Sequence, residues 1–234
     1  MSARDTEANV EAALKSGRTT FMGIELLTGS GTLVPRAETE LLGRAAVAAV
    51  RERCAPDGTA RVIDMCCGSG NLACAIASLV PGARVWACDL TPSSVETARR
   101  NIEHLGLGAR VTAFEGDLFA PLTGLGLEGS VDMVVCNPPY ISTGRLAKDR
   151  ASLLTHEPRE AFDGGPYGLS IHQRVLKEAQ PFLKPGGALL FEVGDGQARQ
   201  VSLLFERARV YEGVRLLEDA GGHARAIAAK LKGT

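Results

Sequence analysis

The stretch RVIDMCCGSGNLACAIASLV (residues 61–80) decides the fold. Its first part, RVIDMC (61–66), is apolar and partly β-branched, which predicts a buried strand. Gly68 and Gly70 then break the run. Glycines let the backbone turn tightly and approach a ligand closely. NLACAIASLV (71–80) predicts a helix, whose first N–H groups have no partner within the helix. A strand, a glycine turn and a helix in that order open a βαβ unit.

The alternation continues outward. RVWACD (84–89) is the next predicted strand, Pro92 opens a helix, and SSVETARRNIEHLG carries it to Gly106. RVTAFEG (110–116) and VDMVVCN (131–137) are further strands, followed by a Pro- and Gly-rich connection over residues 138–169. IHQRVLKEAQPFL is helical, PGG is a turn, and ALLFEV (188–193) is a fifth strand. A helix near 196–208 and weaker strands near 213–218 and 224–230 complete the pattern. Upstream, residues 1–18 read as a short polar helix or arm. Residues 19–35 hold two β-prone runs around a glycine-rich turn at Thr28–Gly31, a hairpin signal. Ala37 to Cys54 is helical, with Glu38 and Glu40 in the first turn, where the helix dipole favours negative charge. These elements predict an α/β fold: a mostly parallel sheet with helices on both faces. The expected division is an arm and hairpin (1–36) before an α/β domain (37–234).

Composition narrows the function. The 234 residues are 45% hydrophobic and 23% charged, enough for one α/β domain with a full core. Aromatics are 5%, few for stacking on single-stranded nucleic acid, and the net charge of −1 offers no field toward nucleic acid or an anionic membrane. No apolar run reaches membrane length, and the N-terminal residues lack a signal-peptide core, so a cytoplasmic location is expected. The six cysteines and four histidines fit no metal-ligand spacing, so no metal site is expected.

Ligands of such sheets bind outside the carboxyl ends of the strands. The first candidate set is the turn Asp64, Cys66, Cys67, Gly68, Ser69 and Gly70. Asp89, followed by Leu90, ends the second strand 19 residues after Gly70, where a carboxylate can accept hydrogen bonds from both ribose hydroxyls of a nucleoside. Asp117 follows the third strand and can accept from an adenine amino group. These positions imply an adenosine-containing cofactor without naming it. Gly68 to Ala73 also fits the dinucleotide fingerprint G-x-G-x-x-A, so a nicotinamide dehydrogenase stays open at this point.

The next motif, Asn137-Pro138-Pro139-Tyr140, ends the apolar strand VDMVVC. An amide nitrogen is a weak nucleophile because its lone pair is delocalised into the carbonyl. The Asn137 side-chain oxygen and the Pro138 carbonyl can accept its two N–H groups and aim it at an electrophile. Consecutive prolines stiffen the loop that presents them, and Tyr140 can stack on a planar group. These four residues are the candidate catalytic set.

Asn-Pro-Pro-Tyr in this place resembles the signature of methyltransferases acting on planar exocyclic nitrogens. With LVPRAETELL (33–42), EPREAFDGGPYGL (157–169) and LKPGGALLFEVGDGQ (183–197), the chain resembles the release-factor glutamine methyltransferase family of the HemK/PrmC type over nearly all residues after 19. The resemblance implies the class I methyltransferase fold, a seven-stranded sheet whose last strand is antiparallel. It implies S-adenosyl-L-methionine as cofactor, contacted by residues 66–70, Asp89, Leu118 and Asn137. It implies N-methylation of a glutamine side-chain amide in a protein such as a peptide release factor. Arg36 and Glu38 are expected to order the rim of the site.

Two features depart from the family. Family members usually carry a helical domain before the hairpin, where here at most about 18 residues stand; a small partner subunit in its place, as in shorter relatives, or a small-molecule acceptor, is the alternative expectation, ahead of nucleic-acid adenine. Cys66 replaces a glycine, which the cofactor site tolerates unless the position requires positive φ.

Overall fold

The computed structural model describes residues 3–54, 58–149 and 157–233. The glycine-turn unit forms β3 (Ala60–Met65) and α3 (Asn71–Leu79), and α3 returns the chain to β4 (Ala83–Asp89) beside β3. The elements preceding it are α1 (Ala3–Ser16), β1 (Arg18–Phe21), β2 (Ile24–Leu27) and α2 (Thr39–Arg53). After it come α4 (Pro92–His104), β5 (Val111–Glu115), β6 (Val131–Cys136), α5 (Thr143–Asp149), α6 (Ser170–Glu178), β7 (Leu183–Glu192), α7 (Ala198–Ala208), β8 (Tyr211–Glu218) and β9 (Ala224–Leu231).

The seven-stranded sheet runs β5-β4-β3-β6-β7-β9-β8, and β9 lies antiparallel to both its neighbours. Alternation along the central strands divides the core into two layers. Val62, Val85, Val135 and Leu190 face α2, α3 and α4 through residues such as Leu42, Ile76 and Ala98. Ile63, Val134, Leu189 and Ile227 face α6 and α7 through Val175, Val201 and Phe205. This is the class I methyltransferase fold, with helices on both faces. Among the described residues no helix is long and apolar enough to cross a membrane.

Two local expectations are corrected. The hairpin turns at Met22-Gly23, not at Thr28–Gly31: Phe21 pairs with Ile24, and both loop residues have positive φ, 50° and 80°. Such a two-residue turn matches the right-handed twist of the strands it joins. The PGG segment at 185–187 is not a separate turn but an irregularity inside β7, whose register against β6 jumps from Val131↔Leu183 to Met133↔Ala188. The long connection after β6 also holds structure, α5 and a 3-10 turn at Arg159–Ala161; its residues 150–156, with His156, lie outside the described residues.

The hairpin is packed on the sheet domain. Phe21 and Leu26 are buried in the same core layer as α2 and α4, and the Met22 N–H donates to Glu40 on α2 at 3.0 Å. Asn101 on α4 fastens the other end. Its Oδ1 accepts from Leu27 N at 2.7 Å, and its Nδ2 donates to Leu27 O at 3.0 Å and to Ser69 O at 2.9 Å. One fully buried amide thus joins hairpin, helix and glycine turn. Each buried polar group left unpaired costs roughly 1–3 kcal/mol. Asn101→Ala is therefore expected to lower unfolding stability by at least about 2 kcal/mol, measured by urea denaturation, and to loosen the glycine turn.

Candidate active site

β3 and β6 are parallel neighbours, with Met65 opposite Cys136. The order of strands reverses here, because β4 and β5 extend the sheet one way from β3 and β7 the other. Connections leave these two strands in opposite directions and open a crevice at their carboxyl ends. Every candidate site residue belongs to this edge.

The glycine turn occupies one side of the crevice. Gly70 has φ 77°, and a Cβ there would meet the Ala98 side chain at 3.1 Å, so glycine lets α3 pack closely on α4. Cys66 has φ 58°. The position does require the left-handed region, and its cysteine carries strain on the order of 1–2 kcal/mol. Leu118, at φ 46°, is a second non-glycine residue of the crevice in that region. Strain of this kind clusters where a ligand site over-determines the backbone. Asp64 is placed beneath the turn and not on a cavity wall. It is fully buried, its Oδ2 accepts from Ala73 N in the first turn of α3 at 2.9 Å, and burial pushes its pKa up to about 8.

A cavity of about 350 Å³ opens over the turn, within the range of small-molecule sites. Its walls are largely apolar, with Met65, Leu90, Leu118, Pro139 and Ile171 beside Cys66 and Gly68. Asp89 stands on the wall. Its Oδ2 accepts from Gly68 N at 2.9 Å, and its Oδ1 accepts from Thr91 N at 3.0 Å and the Thr91 hydroxyl at 2.9 Å. A carboxylate offers about four acceptor directions, so capacity remains for a ribose hydroxyl. Asp117 lies farther along the wall, half-exposed, with both oxygens on the Arg174 guanidinium at 2.8 and 3.1 Å. Cys67 and Ser69 line a recess of about 20 Å³ beside the cavity, together with Thr39 and Asn137. An apolar slot with a carboxylate over a glycine turn fits the adenosine half of S-adenosylmethionine.

A second cavity, of about 470 Å³, lies on the other side of Asn137. Leu33, Asn137 and Ala161 contribute to both walls, so the two cavities share a partition. Pro138 and Tyr140 face the second cavity and Pro139 the first. The Asn137 Nδ2 donates to the buried Thr39 hydroxyl at 3.2 Å. No described residue donates to Asn137 Oδ1 or to the Pro138 carbonyl. Two acceptors are thus unengaged at the partition.

The proline loop is held from below and from the side. The Tyr140 hydroxyl donates to Glu192 Oε1 at 3.2 Å, and Gln197 Nε2 donates to the Tyr140 carbonyl at 2.9 Å. Gly168 packs against that carbonyl so closely that a Cβ would stand 2.2 Å from it. Ile141 N donates to Phe162 O at 2.9 Å, and Gly164 N to Ile141 O at 2.8 Å. Glu157 closes the rim: it takes the Val34 N–H at 2.9 Å and pairs with Arg36. Arg36 thus orders the rim across 121 residues of chain, and Glu38 lines the second cavity.

Sequence reading passed over Thr39, Glu192 and Gln197 as site residues. A signal for Glu192 existed: an acid at the carboxyl end of an apolar strand, the same placement that marked Asp89. Thr39 and Gln197 carry no such signal, because each acts through a contact distant in sequence.

The fold and the two joined cavities define a class I S-adenosylmethionine-dependent methyltransferase. The profile of a methyltransferase-domain family matches residues 56–224. The release factor glutamine methyltransferase of Moorella thermoacetica is 38% identical over 214 residues, covering 92% of this chain and 72% of that protein. That of Gloeobacter violaceus is 35% identical over 211 residues, covering 90% and 71%. The chain belongs to the release factor glutamine methyltransferase family. A crystal structure of a methyltransferase from Pyrococcus furiosus shares the fold at TM-score 0.64 and 19% identity, covering 98% of this chain and 99% of that one.

Hydrogen bonds to a charged group contribute about 1.5–3 kcal/mol each. Asp89→Ala removes the acceptor on the cavity wall and the clasp on Gly68. S-adenosylmethionine affinity is expected to fall roughly 10–100-fold, read by titration calorimetry, while an exposed control such as Glu103→Ala binds normally.

Proposed function

We propose that this chain transfers the methyl group of S-adenosylmethionine to the side-chain amide nitrogen of a glutamine in a protein, a peptide release factor. The observation that carries this reading is the pair of unengaged acceptors, Asn137 Oδ1 and the Pro138 carbonyl, at the partition between the cavities. The relatives named for glutamine methylation of release factors support it.

Each residue then has a task. Gly68, Asp89 and the apolar wall with Leu90 and Leu118 hold the cofactor, with Cys66 and the turn beneath it. Asp117, paired with Arg174, keeps acceptor directions that can take the adenine amino group. The cofactor supplies an electrophilic methyl on a sulfonium. Asn137 Oδ1 and the Pro138 carbonyl accept the two N–H groups of the substrate amide. This holds the nitrogen in one orientation and draws density toward it. Positioning of this kind supplies several of the roughly 7–11 kcal/mol available from pre-paid entropy. Tyr140, tethered at its hydroxyl and its carbonyl, forms a fixed wall for the planar amide. No strong base is required before transfer, because the nitrogen becomes acidic once it is alkylated. Residues 1–36 serve as an appendage that buttresses the partition through Leu33 and Arg36, and residues 37–234 as the catalytic domain.

Asn137→Ala removes one acceptor without touching the Asp89 wall. With purified, unmethylated release factor, its kcat is expected to fall roughly 100-fold or more, a larger loss than that in S-adenosylmethionine affinity, which Asn137 also touches from the cavity wall. Wild-type turnover by Asn137→Ala contradicts the reading.

A further inference from the structure

A glutamine side chain adds five heavy atoms beyond Cα, and at about 30 Å³ each they fill roughly 150 Å³. The cavity beside Asn137 and Pro138 holds about 470 Å³. Most of it is left for whatever the glutamine is attached to. We propose that Tyr167 and Arg145 clamp the main chain of the protein that carries the glutamine: the Tyr167 ring packs on the residues beside it, and the Arg145 guanidinium takes one of their carbonyls. The inference rests on glutamine methylation in a protein as the reaction. It adds what tells a chain-borne glutamine from a small amide.

Both residues line the cavity that Asn137 also lines, and both are exposed, Tyr167 at 84%, so they stand at its mouth. A single exposed aromatic is ordinary on a protein surface. This one is set on a pinned loop. Gly165 N donates to Asp163 Oδ1 at 3.0 Å, Thr143 N donates to Gly165 O at 3.0 Å, and Ser170 N donates to Gly164 O at 3.1 Å. Asp163 is itself held by the Thr143 hydroxyl at 2.7 Å and by Arg159 at 2.8 Å. Gly164 and Gly168 press on the carbonyls of Pro139 and Tyr140, where a Cβ would stand 2.6 and 2.2 Å away. The ring is bare, but its backbone is fastened to the loop that presents the two acceptors. A tyrosine so placed offers a large contact area with only two side-chain torsions to fix.

Arg145 lies in α5, which the buried Leu146 anchors. Of the three arginines lining the cavity, Arg36 pairs with Glu157 and Arg225 with Asp219. Arg145 has no hydrogen-bond or ion-pair partner among the described residues, and its guanidinium only donates. A peptide main chain offers it a carbonyl at every residue. A nucleic-acid strand fits worse, because Glu38 and Asp195, both exposed, line the same cavity and repel phosphates. Tyrosine and arginine are also the residue types in which binding energy concentrates at protein interfaces.

The test uses the full chain and purified, unmethylated release factor. Tyr167→Ala and Arg145→Ala are each expected to raise the KM for the release factor roughly 10-fold, with kcat and the dissociation constant for S-adenosylmethionine within about twofold. Both side chains are exposed, so the fold tolerates their loss. Tyr167→Phe keeps the ring and is expected to keep the wild-type KM. A single glutamine capped as an amide at both ends lacks the flanking residues, and the wild type is expected to use it at least about 100-fold less efficiently. An unchanged KM in either alanine variant, a loss carried by kcat alone, or a capped glutamine used as well as the release factor overturns the clamp. A wild type that leaves the release factor unmethylated refutes that acceptor instead. The clamp is then read in host extract with radiolabelled S-adenosylmethionine. Label on another protein, reduced in both alanine variants at limiting extract, supports the clamp; any other pattern overturns it.

Discussion

Met65 pairs with Cys136 across the β3–β6 ladder, and one residue later both chains leave the sheet. Cys66 enters the glycine turn and Asn137 enters the proline loop. This register brings the cofactor cavity and the acceptor cavity to a common wall. A shift of one residue on either strand would turn its buried side chains to the opposite face. It would also carry Asn137 away from Thr39. The apolar run Val131–Cys136, buried at every position, holds the register because both faces of the strand are packed.

The strain at the site follows from that constraint. The chain must reverse direction immediately after β3, which forces Cys66 into a left-handed conformation that costs energy. The surrounding contacts hold it there: Cys67 N donates to Cys88 O at 2.9 Å, Gly68 N to Asp89, and Asp64 fastens the first turn of α3. The proline loop is stiff for a different reason. Its prolines fix φ, and Gln197, Gly164 and Gly168 grip the backbone around Tyr140. Each wall of the site is therefore rigid on its own, and the partition needs only the amide of Asn137 to be oriented.

Much of this was legible in the sequence. The strands of the sheet and the helices between them follow from apolar runs and helical periodicity, because a parallel sheet covered on both faces demands such runs. The glycine turn, Asp89 and the Asn-Pro-Pro-Tyr loop were legible as neighbours because each follows an apolar strand, and the structure sets all three around adjoining cavities. The hairpin turn was misplaced because Met22 supplies a positive φ that methionine rarely adopts, whereas Thr28–Gly31 is rich in turn formers. The irregularity at 185–187 was hidden because a Pro-Gly-Gly run reads as a turn whether or not pairing resumes beyond it. Thr39 and Gln197 were passed over for a deeper reason. Their part in the site depends on contacts with Asn137 and with the Tyr140 carbonyl, distant in sequence, which no local pattern encodes.

Methyl transfer to a glutamine side-chain nitrogen is the reaction that would give each of these parts its task. The most direct measurement supplies radiolabelled S-adenosylmethionine and the purified chain to a host extract depleted of its own copy of the enzyme. Protein, nucleic-acid and small-molecule fractions are then separated. Label is expected on one protein of release-factor size, mapping by mass spectrometry to a glutamine side chain. Label confined to the small-molecule or nucleic-acid fraction would contradict it.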